Sequence, residues 1–241
     1  MSTPEGVGRR AFLKATGVTG GVALVGSALP GRIAWAAALT KAQRDRMTPD
    51  EIIQAMKNGN ERFRRGEKTT QDYLAQQRAS AKGQYPAAVL LSCIDSRAPA
   101  EMIMDLGIGD VFNARVAGNV ASDDLLGSLE FACAAAGAKA IVLLGHTACG
   151  AIKGAIDNVE LGHLSGLLAQ IRPAIAATTF SGERSSRNPV FVDAVARTNV
   201  RLGIEAIRRR SSVLADLEYK KMITITGAMY DLATGVVQFD G

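Results

Sequence analysis

The segments 87–92, 111–115, 140–144 and 222–228 are short, largely apolar runs, and helix-forming stretches separate them. Runs of this length read as strands buried on both faces, because a half-exposed strand would alternate polar and apolar residues. Helical stretches are expected at 99–106 and 123–136, followed by a long block over 161–217 broken near Ser181-Gly182 and Ser211-Ser212. Strands alternating with helices predict an α/β fold, with a mostly parallel central β-sheet flanked by helices. Past the last run, Asp231-Leu232-Ala233-Thr234-Gly235 is a turn signal, and 236–239 is expected as a short antiparallel edge strand. Upstream, Thr48-Pro49-Asp50-Glu51 is a capping-box start for a helix running to about Arg65. Its apolar set Ile52, Ile53, Met56 and Phe63 makes it an amphipathic N-terminal arm that packs on something, a partner subunit included.

The first 36 residues read as a targeting segment rather than fold. Arg9-Arg10-Ala11-Phe12-Leu13-Lys14 leads into an uncharged, Gly- and Ala-rich stretch ending at Ala34-Trp35-Ala36. The paired arginines followed by Phe-Leu-Lys resemble a twin-arginine export signal, with Gly8 where such signals often carry Ser or Thr. Cleavage after Ala36 and a periplasmic or cell-envelope location are the expectations, with membrane contact only during export. The apolar stretch is too short and Gly-rich for a comfortable span. Residues 37–241 are then expected to form one domain. Most of the net charge of +5 lies in the leader, and no basic run exceeds Arg208-Arg209-Arg210. With 5% aromatics, the footprint of a nucleic-acid binder is missing. Three cysteines, an odd number, do not suggest a disulfide framework.

Two of the expected strands end in residues with metal chemistry: Leu91-Ser92-Cys93-Ile94-Asp95-Ser96-Arg97 and Leu144-Gly145-His146-Thr147-Ala148-Cys149-Gly150. Ligands in open α/β sheets gather outside the carboxyl ends of the strands, so neighbouring strands would bring Cys93, His146 and Cys149 together. Two thiolates and an imidazole suit Zn²⁺ and leave a fourth position open, as expected of a catalytic rather than a structural ion. Cys133 and His163 are read as a core residue and a surface or helix-start residue. Asp95 and Arg97 share the loop of Cys93. They can form a salt bridge that pins it, and an Asp so held can also accept a hydrogen bond from hydroxide at the metal.

Cys93-Ile94-Asp95-Ser96-Arg97 followed by His146-Thr147-Ala148-Cys149 resembles the hallmark of the β-class carbonic anhydrases. The likeness continues through Pro99-Ala100-Glu101, Gly109-Asp110-Val111-Phe112, Arg115-Val116-Ala117-Gly118-Asn119, Gly127-Ser128-Leu129-Glu130 and Gly227-Ala228-Met229-Tyr230-Asp231. The resemblance implies one zinc ion on Cys93, His146 and Cys149, with Asp95 and Arg97 as the catalytic dyad. It implies reversible hydration of CO₂ to bicarbonate and a proton by zinc-bound hydroxide, in a homodimer or homotetramer whose subunits the N-terminal arm would help to pair. In some members the Asp leaves the Arg to become a fourth ligand at low pH, a possibility for Asp95. Some also bind bicarbonate at a non-catalytic Trp, Arg and Tyr site. Arg115 and Tyr230 match two of those positions, and Leu90 stands at the third. Hydrolysis of carbonyl sulfide or carbon disulfide on the same ligands, and a non-catalytic zinc-binding role, are the alternatives. Two thiolate ligands predict a less acidic water than an all-histidine site would give, and activity that rises toward alkaline pH.

Overall fold

A computed structural model describes residues 38–240; the leader over 1–36 and its cleavage position lie outside them. Five strands form one sheet: β1 (Ala88–Ser92), β2 (Val111–Arg115), β3 (Ala140–His146), β4 (Thr224–Tyr230) and β5 (Val237–Phe239). Their order is β2-β1-β3-β4-β5, with the first four parallel and β5 antiparallel to β4. The helices are α1 (Lys41–Arg46), α2 (Pro49–Arg65), α3 (Tyr73–Ser80), α4 (Ala100–Ile103), α5 (Asp123–Glu130), α6 (Gly150–Ile156), α7 (Gly162–Ala169), α8 (Arg172–Ala177), α9 (Pro189–Arg210) and α10 (Ser212–Tyr219). None of them is long and apolar enough to cross a membrane.

Strand side chains alternate between the faces of the sheet, and each face has its own core. Val89, Leu91, Ile141 and Leu143 face a core built with Phe191, Val192 and Val195 of α9. Ala88, Leu90, Val142 and Leu144 face the other, built with Ile52 and Met56 of α2 and Ile103 of α4. Burial on both faces is why β1 and β3 read as unbroken apolar runs; β2, expected to be buried as well, lies at the edge of the sheet and is only half-buried, with Asn113 exposed.

The expected elements are present with shifted ends. The run at 140–144 extends to His146, and that at 222–228 moves to Thr224–Tyr230. The helix expected at 99–106 shrinks to Ala100–Ile103 because Asp105 takes a left-handed φ of 51°. The Asp105 carboxylate is buried, accepting from Arg62 Nε at 2.6 Å and Thr69 Oγ1 at 2.8 Å. The stretch at 123–136 becomes α5 followed by a π-helical turn over Phe131–Ala135. The block at 161–217 breaks additionally between α7 and α8, where Pro173 lies at the start of α8.

Three helices were not anticipated: α1, α3 and α6. In α3 only Gln76 is buried, so no apolar stripe marks it; the Asp72 carboxylate caps it by accepting from Ala75 N–H at 2.9 Å. The arm helix α2 starts on the expected capping box of Thr48 and Glu51. Its apolar face packs on α4, β3 and β5 of its own chain, with Ile52 and Met56 in the core. Buried Asn60 ties it there, donating to Ile103 O and Gly235 O and accepting from Val237 N–H.

Candidate metal centre

β1 and β3 are hydrogen-bonded parallel neighbours, with Ser92 in register with Leu144. Cys93 therefore leaves the tip of β1 beside His146, the last residue of β3. The turn Thr147-Ala148 then brings Cys149 back to start α6. The sulfurs of Cys93 and Cys149 and a ring nitrogen of His146 lie within 4.8 Å of one another, and all three residues are buried. Tetrahedral zinc with bonds of about 2.0–2.3 Å needs ligand atoms roughly 3.3–3.8 Å apart, a spacing this cluster can meet by small side-chain adjustments.

The donor set fits a soft divalent ion on two further observations. His146 Nδ1 lies 2.9 Å from Thr147 O, which fixes the ring and leaves Nε2 as the free donor atom. That Nε2 is buried and has no hydrogen-bond partner, a costly state for a polar atom unless something binds it. The two thiols also interact. A hydrogen bond from Cys149 pushes the Cys93 thiol down, helped by Gly118 N–H at 3.4 Å, while that same bond and burial push Cys149 up. Both sulfurs must lose their protons to bind a metal ion, so binding at this pair depends on pH. Gly118 is required here: its φ is 67°, and a Cβ on it would lie 2.6 Å from Ile171 Cδ1.

Asp95 Oδ1 accepts from Arg97 N–H at 2.9 Å and from Nε at 3.0 Å, and Oδ2 accepts from Nη2 at 2.8 Å. This fork holds the Asp95 carboxyl far below the usual carboxylate range. The side chain of Arg97 is 57% exposed and that of Asp95 14%, so the pair forms the solvent side of the site. Oδ2 is 3.8 Å from His146 Nε2, beside the cluster while still on Arg97.

Arg115, at the end of β2, donates through Nε to Cys93 O at 2.9 Å and through Nη2 to Asp95 O at 2.7 Å. These bonds brace the ligand loop, a role the sequence did not signal. Leu90, at the position expected of Trp, is wholly buried in the sheet, and Tyr230 is also buried. Cys133 is a buried residue whose thiol burial pushes up to about 12, and His163 is exposed on α7. Neither joins the cluster. The sequence also gave no sign of Asp193 on α9, whose Oδ1 accepts from Ala148 N–H at 2.9 Å. Ala148 takes a left-handed φ of 54°, which costs an L-residue about 1–2 kcal/mol and is invisible in a chain that shows no glycine there.

A family model for carbonic anhydrase matches residues 88–237. Carbonic anhydrase 2 of Mycobacterium tuberculosis is 34% identical over 189 residues, covering 78% of this chain and 90% of that protein. A carbonic anhydrase of Mycolicibacterium smegmatis is 33% identical over 192 residues, covering 79% and 92%. Among solved structures, a tetrameric β-carbonic anhydrase from Sordaria macrospora aligns with TM-score 0.59 at 27% identity, covering 67% of this chain and 83% of that one. A β-carbonic anhydrase of Aspergillus fumigatus aligns with TM-score 0.60 at 28% identity, covering 68% and 79%. With the hallmark residues gathered at the tips of β1 and β3 and the match running through the whole sheet, this chain belongs to the β-class carbonic anhydrase family.

Proposed function

We propose that this protein catalyses the reversible hydration of carbon dioxide to bicarbonate and a proton, at one zinc ion held by Cys93, His146 and Cys149. The carrying observation is the buried cluster of two sulfurs and an imidazole nitrogen with the Asp95 carboxylate beside it. Bound zinc supplies the Lewis acidity that brings loss of a water proton toward neutral pH. The protein's own groups do the rest. Asp95, kept ionised by Arg97, is an acceptor at every working pH and orients the nucleophilic water through a hydrogen bond. Arg97 fixes the direction of that carboxylate, and Arg115 fixes the loop that carries both Cys93 and Asp95.

The protein works as a homodimer or homotetramer. Large apolar side chains support this reading: Ile94, between Cys93 and Asp95, is 61% exposed, and Phe131 is 56% exposed. The related Sordaria macrospora enzyme is described as tetrameric. Residues 1–36 are a twin-arginine leader, and the mature chain is the single domain 37–241, working in the periplasm or cell envelope. Arg9-Arg10 and Ala34-Trp35-Ala36 support that assignment.

The test is zinc content and stopped-flow CO₂ hydration of the chain beginning at Ala37, at pH 7 and pH 8.5, beside Cys149→Ser and Asp95→Asn. One zinc per chain is expected, with hydration faster at pH 8.5. Since Asp95 is already ionised, that rise reports the proton lost by the nucleophilic water. Cys149→Ser should lose zinc and activity together, and Asp95→Asn should keep zinc while hydrating CO₂ about 10²-fold more slowly. Full zinc without hydration at either pH would overturn the assignment in favour of carbonyl sulfide or carbon disulfide hydrolysis, or of a non-catalytic role.

A further inference from the structure

The turn between His146 and Cys149 is held from outside by three contacts. Thr147 N–H donates to Tyr230 O at 2.9 Å, Thr147 Oγ1 accepts from Leu232 N–H at 3.0 Å, and Ala148 N–H donates to Asp193 Oδ1 at 2.9 Å. The first two come from the neighbouring strand β4 and the residues just after it. The third comes from α9, a different layer of the fold.

Ala148 is the residue under strain, with φ 54° and a Cβ that disfavours this conformation. Such a residue persists only where its surroundings over-determine it. Asp193 suits that task. It lies near the start of α9, between core residues Phe191, Val192 and Val195, all fully buried, so its carboxylate is delivered from a rigid base. A carboxylate accepting from a backbone amide makes a stronger bond than a neutral acceptor does.

Resting on the zinc assignment above, we propose that Asp193 is a positioning residue. Its carboxylate pins the Ala148 amide in the left-handed turn and so sets the reach between His146 and Cys149 before metal arrives. Without that anchor, Ala148 relaxes toward negative φ, the direction of the chain between the two ligands changes, and zinc must restore the turn at a cost in affinity. Partners of this indirect kind typically change metal affinity by roughly 10-fold to 100-fold.

The experiment uses the chain beginning at Ala37 and three readouts: zinc affinity by chelator competition, the visible spectrum of the Co²⁺-substituted protein, and hydrogen exchange of the Ala148 amide without metal. Asp193→Ala should weaken zinc binding by about 10-fold or more, alter the cobalt bands and speed exchange at Ala148. Asp193→Asn, which keeps an acceptor oxygen, should stay within about 3-fold of the unmodified chain, since only the charge assistance is lost. The decisive variant is Ala148→Gly, which removes the strain that Asp193 opposes. It should change little by itself and return most of the zinc affinity when combined with Asp193→Ala. A merely structural role for Asp193 would give no such recovery. If Asp193→Ala does not fold, Asp193→Glu replaces it with the same expectations, since the extra methylene displaces the acceptor. Zinc affinity and cobalt bands unchanged in the Ala or Glu variant, or a loss that Ala148→Gly does not relieve, overturns the proposal. An unmodified chain that binds no zinc overturns the metal assignment itself, and the metal-free exchange at Ala148 still reports whether Asp193 holds the turn.

Discussion

At the scale of single residues, two aspartates a short distance apart in sequence are driven in opposite directions. The guanidinium of Arg97 holds the Asp95 carboxyl down, whereas burial drives that of Asp110 up. Asp110 is buried, its Oδ2 accepts from Gly107 N–H at 2.6 Å, and burial raises its pKa to about 7. In the unfolded chain that carboxyl titrates near 3.9, so between about pH 4 and pH 7 the folded state binds the extra proton. Stability should therefore fall as pH rises through that window and level off above it. Asp110→Asn keeps the shape and the acceptor without the charge. In urea unfolding it should match the unmodified chain near pH 4 and exceed it at pH 8 by about 4 kcal/mol. A variant destabilised equally at both pH values would show that the carboxyl itself, and not its ionisation, is what the site needs.

At the scale of elements, the approach of α2 to the chain beneath it is set by a missing side chain. A Cβ on Gly59 would lie 1.9 Å from Met104 O and 2.8 Å from Met104 C, both backbone atoms that cannot rotate away. Gly59→Ala should destabilise the fold by about 2 kcal/mol or more in chemical denaturation while leaving zinc stoichiometry unchanged, since α2 lies on the face of the sheet served by Ile52 and Met56. Gly166, within α7, has nothing within 4 Å of its Cβ position. Gly166→Ala should raise stability by up to about 1 kcal/mol through helix propensity alone. Equal effects of the two substitutions would contradict the packing of α2 on its own sheet.

At the scale of the whole molecule, two features bear on how the protein is used: exposed apolar side chains such as Ile94 and Phe131, and the leader proposed for residues 1–36. Light scattering of the chain beginning at Ala37 should give a dimer or tetramer mass; a monomer at micromolar concentration would remove the role assigned to Ile94 and Phe131. Export is tested on the full chain. Arg9→Lys with Arg10→Lys conserves charge, so an ordinary secretory signal would tolerate it, whereas a twin-arginine route should lose delivery to the periplasm. Undiminished delivery would reassign the leader.

The sequence by itself determined the succession along the chain of four short apolar strands and most of the helices between them, and a capping box at Thr48 that sets the start of α2. These are local signals, carried by periodicity and by residue types at fixed offsets. It also singled out Cys93, His146 and Cys149 and the Asp95–Arg97 pair, because those residues are short-range motifs at strand ends. Only the tertiary structure decided that β1 and β3 are neighbours, which is what turns two separate motifs into one cluster. It alone decided that α2 covers its own sheet, since an amphipathic stripe states that a face must be buried and not against what. Arg115 on the carbonyls of Cys93 and Asp95, and Asp193 on the amide of Ala148, were beyond the sequence for the same reason. Each is a single polar contact between distant segments, made to a backbone atom that every residue possesses, and so leaves no mark in residue identity.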